Sequence, residues 1–295
     1  MISARNLSKT YGRTPVLRDI SFDLAEGKIL GIIGHNGAGK TTLLKILAGL
    51  VEPSSGDILV NGESILHNPD GYKEMVGYLP EESRLYETMK VDDYLTFFGE
   101  IYGMDRASIR RRSRELLEWL SLDDGGKKMG EFSKGMKRKV AIARSLIHDP
   151  SILIYDEATS GLDPMTSRHI VDLLRDLRAK GKTIVLSAHN LYQVEAICDL
   201  IMILRRGHRV ALGTLSDLRE TYGSVSYSLY FTIRDPALLS GVGRYTHEGG
   251  YFRVDVPDVR EMNRIAQEVT SAGGTVERVE SHYPSLEEML AKIGA

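Results

Sequence analysis

Gly34, His35, Asn36, Gly37, Ala38, Gly39, Lys40 and Thr41, with Thr42 directly behind them, are spaced to hold a polyphosphate. They fit G-x-x-x-x-G-K-[ST], the P-loop pattern, in which glycines let backbone N–H groups crowd oxygens that a Cβ would keep away. An apolar run, Leu30–Ile33, leads into the loop, and Leu43, Leu44 and Leu47 leave it at helical spacing. The loop therefore opens a helix, whose N-terminus favours negative charge. Lys40 would reach the β- and γ-phosphates of a nucleoside triphosphate, and the Thr41 hydroxyl would ligate Mg²⁺.

A second apolar run, Ser151–Tyr155, ends in Asp156 and Glu157. Asp-Glu at a strand end is common by itself. Downstream of a phosphate loop it supplies what hydrolysis needs: Asp156 to hold Mg²⁺, directly or through water, and Glu157 to polarise the attacking water.

Positioning these groups takes a sheet. Short apolar runs alternate with helical patterns, which predicts an α/β core with a largely parallel sheet. Buried strands are expected at Lys28–Ile33, Ser151–Tyr155 and Thr183–Ser187, with shorter ones at Asp57–Val60 and Val76–Leu79. Pro164–Lys180 reads as a helix in which Ile170, Leu173, Leu174 and Leu177 share one face. Between about residues 86 and 148 strand signals give way to helical spacing, as in Leu116, Leu117 and Leu120, a helical subdomain inserted into the core. Its run Arg110, Arg111, Arg112 and Arg114 reads as a solvated helix face rather than an anion site.

Residues 1–220 thus read as one domain and 221–295 as a small α+β appendage. In the appendage Val225, Tyr227, Leu229, Phe231 and Ile233 mark a half-buried strand, and Tyr251–Val256 repeats the pattern. A helix over Asp258–Ser271 stops at Gly273 and Gly274, a strand follows at Thr275–Glu280, and Ser285 caps a last helix to Ile293.

Among the 295 residues, 38 basic side chains face 40 acidic ones, a formal net charge of −2. A nucleic-acid binder would carry a basic excess, so no nucleic acid is expected as a partner. The single cysteine, Cys198, can form neither an internal disulfide nor a multi-cysteine metal site, which fits a reducing cytosol. No apolar run nears the ~20 residues of a bilayer-crossing helix, and the first residues lack the apolar core of a signal peptide. Any membrane role is expected to go through a partner.

Phe132-Ser133-Lys134-Gly135-Met136, followed by a basic helix just ahead of Asp156–Glu157, resembles the signature motif of the ABC ATPases, usually L-S-G-G-Q. Ala158–Pro164 looks like that family's D-loop, and His189 matches its switch histidine. Tyr11 sits where the family places an adenine-stacking aromatic. The resemblance spans residues 1–220 and implies a P-loop NTPase fold, an ABC ATPase core with an inserted helical subdomain, that takes ATP and Mg²⁺. It also implies that two copies close head to tail, with each ATP between one P-loop and the other subunit's signature. Ser133 and the Gly135 N–H would then bind the γ-phosphate across the dimer, His189 would orient the water with Glu157, and Asp163 would lie on the interface.

Two positions depart from the family pattern. Glu81 stands after Gly77-Tyr78-Leu79-Pro80 where the family usually has a Mg²⁺-contacting Gln, so it is expected to ligate the metal while adding negative charge. Lys134 and Met136 replace Gly and Gln in the signature, while Ser133 and Gly135 are kept. These variants, with an ending like Pro284-Ser285-Leu286-Glu287-Glu288-Met289, resemble export-type subunits encoded apart from their permease.

The resemblance implies an ATP-hydrolysing transporter motor, an exporter's, held at the inner face of the cell membrane by an integral-membrane permease. The alternative is a soluble ABC ATPase working on a ribosome, nucleic acid or another soluble complex. Such proteins often carry paired ATPase domains or a long coiled coil, and neither is seen here. A P-loop kinase or GTPase leaves the signature and His189 unexplained, and no Asn-Lys-x-Asp guanine motif occurs. For the appendage, help in dimerisation is expected ahead of small-ligand sensing.

Overall fold

The computed structural model describes residues 1–82, 84–223, 225–239, 242 and 244–293. Met1–Leu215 forms one compact unit, and a second begins at Ser216.

The first unit opens with β1 (Ile2–Tyr11), β2 (Thr14–Leu24) and β3 (Ile29–Ile33), followed by α1 (Lys40–Leu47), β4 (Ser55–Val60) and β5 (Glu63–Ser64). Then come α2 (Pro69–Glu74), β6 (Val76–Leu79), α3 (Val91–Ile101), α4 (Arg106–Trp119) and α5 (Lys134–Leu146). It closes with β7 (Ile152–Asp156), α6 (Pro164–Ala179), β8 (Thr183–Ser187), α7 (Leu191–Ile197), β9 (Leu200–Arg205) and β10 (His208–Gly213).

The central sheet has six strands in the order β10-β9-β3-β8-β7-β6. Five of them run parallel, and β10 returns antiparallel through Arg206-Gly207. Both turn residues have positive φ, 48° and 81°, the two-residue hairpin geometry that matches strand twist. Because the strands are buried on both faces, their alternation splits the core in two. Leu153, Tyr155, Ile184 and Leu186 pack with Val140 and Ile142 of α5 and with Ile170, Leu173, Leu174 and Leu177 of α6. Ile152, Ile154, Leu30 and Ile32 pack with Leu43, Leu44 and Leu47 of α1. The expected face of the helix over 164–180 is thus the one that is buried.

β8 lies between β3 and β7, so the carboxyl ends of these three strands stand side by side. In open α/β sheets that edge is where ligands bind.

A second sheet, β2-β1-β4-β5, is antiparallel. Of its strands, only the one at Asp57–Val60 is among those expected from the sequence. Register shifts after Ala4, Leu7 and Lys9 break the β1–β2 pairing, which blurs the period-two signal that a regular strand would give.

In the helical subdomain Asp105 caps α4 by accepting from the N–H groups of Ala107 and Ser108. The arginine run on α4 does not all face solvent as expected. Arg112 turns inward, donates to the Leu146 carbonyl at 3.4 Å and pairs with Asp149 at 3.2 Å, tying α4 to the end of α5. Arg110, Arg111 and Arg114 are exposed.

The second unit contains α8 (Leu215–Tyr222, entered from the first), β11 (Ser226–Thr232), β12 (Thr246–Glu248), β13 (Tyr251–Val256), α9 (Val259–Ser271), β14 (Thr275–His282) and α10 (Leu286–Ile293). Its antiparallel sheet runs β12-β13-β11-β14, and Ile265 and Val269 of α9 pack on Leu229, Phe231, Val254 and Val256. The strand expected to be half-buried is central, and Ser228 and Tyr230 on its other face are buried too. The Ser228 hydroxyl bonds Asp255 and His282, while the Arg278 guanidinium lies 4.0 Å from the Tyr230 ring centroid. Ser285 and Glu288 form a reciprocal cap on α10, with bonds of 2.8 and 3.2 Å. Among the described residues no helix is long and apolar enough to cross a membrane.

Candidate functional site

β3 ends at Ile33, and the chain turns at once into the phosphate loop. Gly34 has φ +152°, and a Cβ there would sit 2.2 Å from the Leu204 carbonyl oxygen. Gly39 has φ +107°, with Leu17 Cδ2 2.7 Å from the place of a Cβ. Only glycine fits either position. Gly39 leads into α1 without a side-chain cap, which suits a helix start meant for an anion. Lys40 is buried and donates to the carbonyls of Gly34 (2.7 Å) and His35 (3.3 Å), lacing the loop across its mouth. Burial pushes its pKa below the ordinary lysine range, and the nearby carboxylates of Glu157, Asp156 and Glu81 push the other way.

The end of β7 is organised by Ser187 at the end of β8, in register with Asp156 on one side and Ile32 on the other. The Ser187 hydroxyl donates to Asp156 Oδ1 at 2.5 Å and accepts from the Glu157 N–H at 3.0 Å. Asp156 Oδ2 is buried without a hydrogen-bond partner. A buried carboxylate oxygen left open in this way is costly unless a cation takes it. Thr41 and Glu81, which line the phosphate cavity, carry hard oxygen donors of the same kind, the kind that Mg²⁺ takes.

Glu157 takes the left-handed conformation, φ +50°, an uncommon one for a non-glycine residue that the surroundings must enforce. Its N–H is held by Ser187, its carbonyl accepts from Arg138, and its Oε1 lies 2.6 Å from His189 Nε2. The backbone fixes where the carboxylate points. His189 itself is half exposed at the start of the loop after β8.

Arg138 enters this site from α5. It is 4% exposed and donates to five backbone carbonyls: Pro80, Glu81, Asp156, Glu157 and Ala158, at 2.6 to 3.0 Å. Burial pushes its pKa down to about 10, which leaves it charged at neutral pH.

A cavity of about 350 Å³ brings together Asn36, Gly37, Gly39, Lys40, Thr41, Thr42, Glu81, Glu157 and His189, with Val16 added from β2. Gly34 and His35 carry the carbonyls that Lys40 holds, and Asp156 is buried near Lys40 without lining the cavity. A larger cavity of about 820 Å³ shares Glu157 and His189 with it and continues over the D-loop residues Thr159–Leu162. There the Thr159 hydroxyl donates to Gln193 Oε1 at 2.7 Å, and Asp163 caps α6 by accepting from the Thr166 N–H at 2.9 Å.

Besides Gly34, His35, Ala38 and Asp156, the expected ligand residues Tyr11, Ser133 and Gly135 also stand outside the P-loop cavity. Tyr11 is exposed at the tip of the β1–β2 hairpin, opposite Thr14, with the Lys9 ammonium 5.0 Å from its ring centroid. Ser133 caps α5 through the Met136 N–H at 3.2 Å, and neither it nor Gly135 lines either cavity. The sequence reading missed Val16, Ser187 and the role of Arg138. A valine in a strand reads as core, but a serine closing the apolar run Ile184–Leu186 is a usable signal.

Residues 17–160 match the ABC transporter family, and residues 213–290 match the C-terminal domain of DrrA1-3-like ATP-binding proteins. The linearmycin resistance ATP-binding protein LnrL of Bacillus subtilis is 38% identical over 224 residues, 76% of this chain and 72% of that protein. The Nod factor export ATP-binding protein I of Burkholderia lata is 35% identical over 255 residues, 84% of this chain and 83% of that one. Among solved structures, the dimeric post-hydrolysis state of the ATP-binding cassette MJ0796, bound to ADP and Pi, aligns with a TM-score of 0.68. It is 25% identical and covers 73% of this chain and 99% of that one. The phosphate loop, the carboxylate pair and these likenesses agree: the chain belongs to the ABC transporter family, as one of its ATP-binding, ATP-hydrolysing subunits.

Proposed function

We propose that this chain is the motor of an exporter, a homodimer that closes on ATP against the cytoplasmic face of a separate membrane permease. The observation that carries the hydrolytic part is Glu157, fixed at its N–H, carbonyl and carboxylate beside the Lys40–Thr41 cavity.

In this reading the loop N–H groups and Lys40 bind the β- and γ-phosphates, and Tyr11 stacks on the adenine. Thr41, Asp156 and Glu81 would hold Mg²⁺, which when bound neutralises charge developing on the phosphate oxygens. Glu157 accepts the proton of the attacking water, and His189 keeps the carboxylate and the water in line. Ser133 and Gly135 lie away from their own P-loop cavity, which supports their use on ATP held by a partner subunit. Loss of the γ-phosphate removes that bridge, so the dimer reopens and the permease follows.

Export rather than uptake is supported by the relatives, whose names speak of resistance and Nod factor export, and by the match over residues 213–290. A cavity of about 240 Å³ at the join of core and helical subdomain, where Leu50, Phe98 and Tyr102 stand beside Lys73 and Arg144, would seat a permease helix. Residues 1–220 would then be the motor and 221–295 an aid to dimerisation. Tagged Glu157→Gln pulled from gently solubilised membranes should bring down a multi-span membrane protein in near one-to-one ratio. Recovery with ribosomes, nucleic acid or another soluble machine would overturn the transporter reading.

A further inference from the structure

The signature helix does more than present Ser133 and Gly135. Five residues on, about 7.5 Å along the same helix axis, Arg138 grips the backbone of two other site segments, Pro80–Glu81 and Asp156–Ala158. We infer that Arg138 is a positioning residue that couples the two ATP sites of the dimer, making the Glu157 geometry of one site depend on ATP held at the other. The inference rests on the head-to-tail reading given above.

The physical case is one of rigidity. α5 is a regular helix from Lys134 to Leu146 with Val140, Ala141, Ile142 and Ala143 buried in the core, so its first two turns move as one body. Its N-terminal end would meet the partner's γ-phosphate. The guanidinium is a planar fork with no freedom to trade partners, and sliding it would leave buried carbonyls unpaired. Those carbonyls belong to the strand end that aims Glu157 and to Glu81 on the cavity wall. Glu157 has no slack to absorb a shift, because Ser187 holds its N–H and its φ is +50°. A displacement of α5 is therefore passed to the carboxylate. Lysine, with three donors on a tetrahedral centre, cannot reproduce this grip, and glutamine has two donors.

The test is the ATP dependence of hydrolysis by the full chain, compared among wild type, Arg138→Lys, Arg138→Gln and Glu157→Gln. Wild type should be sigmoidal, with a Hill coefficient toward about 2, the number of coupled sites. The Arg138 variants should lose about tenfold in kcat, keep half-saturation within about twofold, and show a Hill coefficient near 1. A merely structural role would lower the active fraction and leave the Hill coefficient and half-saturation where they were. A hyperbolic wild type overturns the coupling without any variant, which covers the case of Arg138 variants that fail to fold. An inactive Glu157→Gln beside Arg138 variants that keep the wild-type Hill coefficient overturns the coupling alone. Full turnover by Glu157→Gln overturns the base role, and the action of Arg138 through it falls with it.

Discussion

His189 Nε2 stands 2.6 Å from Glu157 Oε1, a contact between the loops that follow two adjacent parallel strands, β8 and β7. The histidine is half exposed and the glutamate is nearly buried, so the pair links the solvent side of the cavity to its floor. Replacing His189 by Ala should leave ATP affinity within a few-fold and lower kcat by about 100-fold, the scale of a lost acid–base or water-orienting group. Steady-state hydrolysis beside a nucleotide titration separates the two effects. A variant that loses affinity and keeps kcat would assign His189 to binding alone.

Ser187→Ala removes the donor to Asp156 and the acceptor of the Glu157 N–H in one step. Leaving a buried N–H unpaired should cost about 1–3 kcal/mol of stability, read by urea denaturation. The Mg²⁺ concentration for half-maximal hydrolysis should rise as well, because Asp156 loses its anchor. Unchanged Mg²⁺ dependence would confine Ser187 to packing.

Lys40 titrates below the ordinary lysine range because it is buried, the carboxylates around it only partly offsetting this. Below that lowered pKa the ammonium is charged and phosphate binding is complete. As pH rises through it the charge is lost, so ATP affinity should fall before the usual lysine value of about 10.4 is reached. Bound triphosphate raises the pKa again, so binding in this window takes up protons. Isothermal titration in two buffers of different ionisation enthalpy measures that uptake directly. Affinity that is flat up to the ordinary lysine range, with no proton uptake, would contradict the assignment of Lys40 to the phosphates.

Glu81 adds a carboxylate to the wall of the phosphate cavity. Glu81→Gln should tighten metal-free ATP binding several-fold, since about 1 kcal/mol of repulsion acts between unit charges a few ångströms apart even in water. The same change should raise the Mg²⁺ requirement. Tighter ATP without a change in Mg²⁺ dependence would remove Glu81 from the metal site.

The P-loop, Asp156, Glu157 and His189 were legible because each is local: its chemistry needs a residue type at a strand end or helix start. The central strands were legible for the same reason, as short apolar runs. What the sequence hid is what depends on neighbours far along the chain. Ser187 matters because β8 lies between β3 and β7, an order that no local pattern states. Arg138 sits among Lys134, Lys137 and Lys139 and reads like one more basic side chain, yet its helical phase turns it into the core. Arg112 misled in the same way. Val16 and the bulged β1–β2 pair were missed because a strand with broken register loses its alternation.

Glu157→Gln is the most direct measurement of the hydrolytic account, read by ATP turnover and by gel filtration with ATP. The substitution keeps the size of the side chain and its contact with His189 while removing the base. The account predicts ATP binding like wild type, turnover reduced by at least about 100-fold, and elution as a stable dimer only when ATP is present. Normal turnover, or a variant that stays monomeric with saturating ATP, would contradict it.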